Sequence, residues 1–261
     1  MMTYFAAHSK FIIMKIIRNS ILFVLLFSLT QCVSLQTINS IKNTPVTPLK
    51  FRYYDAESKI SYLVTNTDST IHLRLRSNNE LTITKILRTG LTVYLDPSGK
   101  KKRDIAIKYP LGEKAVMPMN KQGSMPENQG DRKDIDRRIT MTSKDGMYIN
   151  DEYSEAFSII QSNPPVFVTL STEQGTELIY DLTIPISKIS KTGKSGLSNL
   201  SIGIITGSFD EPDLSDDQNG PPTGTGQPVG MGGRNQQREP QIGTYSELTN
   251  PGRVWFKVVL L

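Results

Sequence analysis

Thr70-Ile71-His72-Leu73-Arg74-Leu75-Arg76 sets an apolar side chain at every second position and a polar or cationic one between them. Successive side chains of an extended chain point to opposite faces, so Ile71, Leu73 and Leu75 are buried together only as a strand with one wet face. Ser58–Asn66 before it is also strand-like, and Thr67-Asp68-Ser69 between them is turn chemistry, which predicts an antiparallel hairpin. Leu91–Leu95 repeats the pattern, Asp96-Pro97-Ser98-Gly99 turns, and Ile105–Tyr109 returns. Further strands are expected at Ile139–Met141, Met147–Ile149, Val166–Leu170, Leu178–Ile184, Ser201–Ile205 and Arg253–Leu261. Asn78–Gly90 mixes signals: its Thr and Ile favour a strand, whereas Ile83, Ile86 and Leu87 share a helical face between an Asn start and a Gly stop. We assign it as a short helix.

Many short strands and little helix specify an all-β chain: an antiparallel β-sandwich, jelly-roll or immunoglobulin-like, with one short helix. A membrane β-barrel is the rival, but its strands run about ten residues and several runs here are shorter. Residues 111–137 and 210–244 lose periodicity and are rich in Gly, Pro and polar residues, so long disordered insertions are expected there. The apolar run Arg253–Leu261 follows the second of them. It is expected to re-enter the sheet, with its Trp255, the one tryptophan, in the core.

The first 31 residues carry Lys10, Lys15 and Arg18 and no acid, then the apolar run Ile21–Leu29. That run is about half a membrane span, and a basic stretch before a short apolar one is the layout of a secretory signal peptide. Met14-Lys15-Ile16-Ile17-Arg18 is itself a good signal start, so the initiator is either Met1 or Met14, with residues 1–13 an extension in the second case. Leu29-Thr30-Gln31-Cys32 resembles the lipobox of bacterial lipoproteins, although Gln31 stands where that pattern carries a small residue. The resemblance implies that Cys32 is acylated and becomes the mature N-terminus. An ordinary signal peptide with a chance cysteine and an uncleaved anchor are the other readings. Residues 32–49 then read as a lipidated tether and 50–261 as the sandwich. Val33 after the cysteine, by resemblance to lipoprotein sorting rules, implies the outer membrane of a bacterial envelope, and the lack of an acidic cluster after Cys32 implies a periplasm-facing orientation. Removing the three leader cations leaves 27 basic against 25 acidic residues, a net of +2, so no nucleic-acid partner is implied.

The opening hairpin, Gly90-Leu91-Thr92-Val93-Tyr94-Leu95-Asp96 and Leu178-Ile179-Tyr180-Asp181-Leu182-Thr183-Ile184-Pro185-Ile186, in that order, resemble β-sandwich modules of carbohydrate-binding module family 9 and the related DOMON-like type. The chain also looks like lipoproteins of Bacteroidetes bacteria. The resemblance spans roughly residues 55–205. It implies a jelly-roll-like sandwich and, by extension, a glycan or an envelope protein as partner.

Candidate ligand-binding residues are Tyr53, Tyr54, Tyr94, Tyr148 and Tyr153, which line a sugar platform or are half-buried strand residues. Asp210, Glu211, Asp213, Asp216 and Asp217 are dense in oxygen ligands but lack the spacing of a calcium loop, and no metal is assigned. Lys100-Lys101-Lys102-Arg103 is either a solubilising hairpin tip or a contact for anionic headgroups or acidic glycans. One cysteine excludes an intramolecular disulfide, and His72 has no triad motif beside it. No cofactor and no catalytic residues are assigned. A hydrolase would need Asp96 or Asp181 to meet a second carboxylate in a cleft. A non-enzymatic binding or scaffolding module acting through loops at one end of the sandwich is the leading reading.

Overall fold

A computed structural model describes residues 35–42, 50–112, 134–210 and 242–261. The leader, Cys32 and most of both expected insertions lie outside the described residues. Gln36–Leu261 forms a compact unit; of the other unit, Met1–Leu35, only Leu35 is described.

The unit is a β-sandwich. Its strands are β1 (Gln36–Asn39), β2 (Ile41–Lys42), β3 (Tyr53–Asp55), β4 (Ile60–Asn66), β5 (Thr70–Ser77), β6 (Leu91–Asp96), β7 (Ile105–Tyr109), β8 (Asp145–Ile149), β9 (Ser154–Ser158), β10 (Phe167–Glu173), β11 (Glu177–Pro185), β12 (Ser201–Thr206) and β13 (Arg253–Val259). One sheet has the order β1-β13-β12-β6-β7-β8-β9 and the other β10-β11-β5-β4-β2, with β3 also on β4. The expected hairpin is present as β4–β5, closed by the Thr67 amide donating to the Thr70 carbonyl at 2.9 Å. Ile71, Leu73 and Leu75 face inward as the alternation requires, opposite Ile184, Leu182 and Tyr180 of β11. Aromatic pairs connect the sheets: Phe256 of β13 stacks on Tyr62 of β4 at 4.4 Å, and Tyr109 of β7 meets Tyr180 of β11 at 6.2 Å.

Asn78–Gly90 is helical, as assigned. Helix α1 (Glu80–Thr89) starts where the Asn79 side chain accepts from the Thr82 amide, and it buries Ile83, Ile86 and Leu87. It ends at Gly90, whose φ of +90° and whose 2.4 Å approach to the Pro110 carbonyl, measured from where a Cβ would sit, leave no room for a side chain.

Four expectations are corrected. The sheets are mixed, not purely antiparallel, because β1 runs parallel to β13 and β2 parallel to β4. Those two strands fall within the expected tether 32–49: the chain crosses from one sheet to the other at Ser40, so the sandwich begins at Gln36 and not at residue 50. Ile139–Met141 is the end of helix α2 (Ile135–Met141), because the Asp134 side chain caps it by accepting from the Arg137 amide at 2.9 Å, and Met141 lies exposed instead of alternating inward. A third helix, α3 (Ile242–Thr249), brings the count among the described residues to three where one was expected. The buried Lys85 of α1 holds it by donating to the carbonyls of Glu247 and Asn250 at 2.8 and 3.1 Å, the last turn where a helix lacks partners.

Candidate functional site

Three connections converge at one end of the sandwich: the β6–β7 turn (96–104), the β8–β9 turn (150–153) and the 3-10 turn after β11 (186–191). They enclose a cleft of about 460 Å³. Each is fixed locally. Asp96 is buried, and its carboxylate accepts from the Ser98 amide and hydroxyl at 2.8 and 2.6 Å and from the amides of Lys100 and Lys102 at 2.6 and 2.9 Å. Burial alone would raise its pKa, but those donors outweigh it and hold the carboxyl below the usual aspartate value. Asn150 turns the second connection by accepting from the amides of Glu152 and Tyr153 at 3.0 and 2.8 Å. Ile186 ties the third to the β4–β5 turn, its amide donating to the Ser69 carbonyl at 2.8 Å.

Tyr148 and Tyr153 meet here, with ring centroids 5.9 Å apart. Tyr148 is fully buried, and its hydroxyl donates to the Lys188 carbonyl at 2.6 Å. Tyr153 is 44% exposed. The Lys188 ammonium lies 5.2 and 5.8 Å from the two ring centroids and donates to the Tyr153 hydroxyl and the Glu155 carboxylate at 3.3 and 3.4 Å. Burial acts against that charge, but Tyr153 and Glu155 prevail and keep the Lys188 pKa above its ordinary value. On the rim Lys191 pairs with Glu152 at 2.6 Å. The cleft thus presents one exposed aromatic ring among donors and acceptors of both charges.

The five candidate tyrosines do not form one platform. Tyr53 is half-buried on β3 and stacks on Tyr62 at 5.5 Å, while Tyr54 beside it is 60% exposed. Tyr94 lies on the outer face of the seven-stranded sheet, its ring within 15° of parallel to Trp255 and 6.0 Å from it. Trp255 is therefore half-buried on that face and not in the core as expected. Phe256, one residue on, takes the inward position. The ring carbons of Trp255 stand 2.5–2.7 Å from where a Cβ on Gly203 would sit, so the indole lies flat only because β12 carries glycine there.

Asp96 and Asp181 are not brought together. Asp181 lies on the outer face of the other sheet, 3.6 Å from the Arg74 guanidinium and opposite Arg74 in register. His72 is next along that face, between the hydroxyls of Thr70 and Thr183 at 3.0 and 2.9 Å. Burial lowers the His72 pKa from 6.5, with Asp181 pulling the other way. The unfolded chain then takes up the proton first as pH falls through 6.5, and folded stability declines below it. Thermal melts from pH 7 to 5 should show that decline, and His72→Gln should remove part of it. Burial raises the Asp181 pKa, against Arg74 and then His72. Its contribution therefore has the opposite sign, stability falling as pH rises from the unfolded carboxylate value through the raised folded one.

Among the described residues no group of three or more His, Cys, Asp or Glu is placed to hold a metal, and residues 211–217 of the acidic run lie outside them. Sequence reasoning missed Lys188, Asn150 and the Glu152–Lys191 pair. Asn150-Asp151-Glu152 was a readable turn signal, whereas nothing near Lys188 marks it.

No family model and no curated protein matches the chain. Among solved structures it is similar to a carbohydrate binding module family 9 (CBM9) from Caldicellulosiruptor kristjanssonii in complex with glucose, at 8% identity and TM-score 0.30, over 67% of this chain and 80% of that one.

Proposed function

We propose that the chain is a non-enzymatic lipoprotein of a bacterial envelope, anchored through acylated Cys32, and that its sandwich binds a glycan in the end cleft. The observation that carries the binding reading is the exposed Tyr153 ring held beside Lys188, Asn150 and the Glu152–Lys191 pair in a cleft of about 460 Å³. A sugar offers an apolar ring face and many hydroxyls, which suits one aromatic surface among mixed donors and acceptors. Of the carboxylates that line the cleft, Asp96 is held by the amides of its own turn and Glu152 by Lys191, engagements that suit a binding role. The anchor reading rests on the short apolar run of the leader and the position of Cys32, the outer-membrane placement on Val33.

Calorimetry of the chain from Cys32 onward against soluble polysaccharides and peptidoglycan fragments tests the cleft. We expect saturable binding to at least one, weakened about tenfold, or 1.4 kcal/mol, by Tyr153→Ala with an unchanged melting temperature. Binding to none of them removes the glycan reading and leaves a protein partner of the envelope as the next search. The mass of the mature protein tests the anchor: a diacylglyceryl-modified Cys32 is expected, and an unmodified one sinks it.

A further inference from the structure

We infer that the outer face of the seven-stranded sheet is a second binding surface, fitted to an anionic lipid bilayer. Inward residues of its strands, among them Val254, Phe256, Ile202, Ile204, Val93 and Ile107, form the core, so their neighbours point outward. One outward row carries Trp255, Gly203 and Tyr94 across β13, β12 and β6. The next carries Arg253 and Lys108 at its two sides, with Ile205 and Thr92 between them. Lys257 stands beyond the first row and lays its stem along the β6–β7 turn, 3.5 Å from the position of a Gly99 Cβ. Arg103, from the basic run of that turn, sits 5.4 Å over the Tyr94 ring. Arg103, Lys108 and Arg253 are exposed, and the two aromatic rings are half-buried.

The charge on this face is one-sided. Asp96, outward in register, is sequestered by the donors of its turn, Asp104 just before β7 is paired with Lys102 at 3.8 Å, and the other acid in these outward registers is Asp145 on β8, so cations outnumber acids here. A flat array of Trp and Tyr flanked by Arg and Lys matches the interface of an anionic bilayer, where amphipathic rings lie at headgroup depth and each nearby cation is attracted to the surface. The chain outside the structure favours a membrane over an acidic glycan as the occupant. β1, the edge strand of this same sheet, begins at Gln36, four residues after Cys32. A link of that length reaches about 14 Å at most, so an anchor at Cys32 would keep the start of β1 within that distance of lipid.

The orientation rests on the anchor reading, but the affinity does not, and the test separates them. The chain from Cys32 onward, carrying Cys32→Ser so that it is unacylated, is titrated with vesicles of phosphatidylethanolamine containing phosphatidylglycerol and with vesicles of phosphatidylcholine. Trp255 is the one tryptophan, so intrinsic fluorescence reports this face directly. A blue shift and quenching by brominated lipid are expected with the anionic vesicles only, weakening as salt rises. Lys108→Glu with Arg253→Glu should reduce vesicle affinity about tenfold or more, and Tyr153→Ala should leave it unchanged. Trp255 emission indifferent to anionic vesicles overturns the proposal without recourse to a variant. Binding to an anionic polysaccharide in place of vesicles overturns it in favour of an acidic glycan. A loss of Cys32 acylation, read by mass, would overturn the anchor alone.

Discussion

Replacing Asp96 by alanine should destabilise the chain by about 3 kcal/mol and lower its melting temperature by about 6–12 °C. The buried carboxylate gathers the Ser98, Lys100 and Lys102 amides and the Ser98 hydroxyl into one turn. Removing it strands those donors, and groups that would bond to a charge lose more than neutral pairs do. Asp96→Asn should fall between, since one acceptor oxygen remains and the new amide meets donors. The pH signature follows from the lowered pKa. The contribution is fully present above about pH 4, where the unfolded carboxyl is ionised, and is lost as pH falls through the lower folded value. Denaturant melts at pH 7 and pH 3 should therefore show wild type and Asp96→Ala converging in acid; a gap that persists at low pH would count against the charge-assisted turn. Because the turn forms one wall of the cleft, ligand affinity at pH 7 should fall as well.

Asn66→Ala should destabilise by about 2–3 kcal/mol. Asn66 has no solvent exposure and closes a knot of three chain segments. It accepts from the Ser40 hydroxyl at 2.6 Å and the Leu261 amide at 3.2 Å, and it donates to the carbonyls of Leu261 and Thr67 at 2.7 and 3.1 Å. Ser40 is where the chain changes sheets, so the loss should concentrate there. Hydrogen exchange should accelerate first in β1, β2 and the end of β13, while β5 and β11 stay protected. Asn66→Asp should be worse than alanine, because it sets a buried charge against two carbonyls. Uniform loss of protection across both sheets would show that the knot is not local.

The fold was legible where one face is wet. β5 and β6 alternate, and their core partners follow from the period. Gln36-Thr37-Ile38-Asn39 was unreadable as a strand because it offers one buried apolar group, Ile38, and owes its conformation to parallel pairing with β13 far along the chain. Trp255 departs from the expected core position because the run it lies in is not buried throughout: alternation sets Val254, Phe256 and Val258 inward against Arg253, Trp255 and Lys257. The candidate site was half legible. Aromatic residue type marked Tyr148 and Tyr153, but the cleft is assembled from turns separated by tens of residues, and proximity of that kind has no local sequence signal.

The pairing of β1 with β13 sets an order of events in time. Gln36 faces Phe256, about 220 residues later, and among the described residues no other strand borders β1. A chain supplied from its N-terminus holds that first strand unpaired until the last described strand emerges, and the seven-stranded sheet cannot be finished before then. Contacts of such separation make folding slow. Hairpins such as β4–β5 and β10–β11 pair neighbours in sequence and need no such wait, so the edge formed by β1 and β13 is the part of the sandwich completed last.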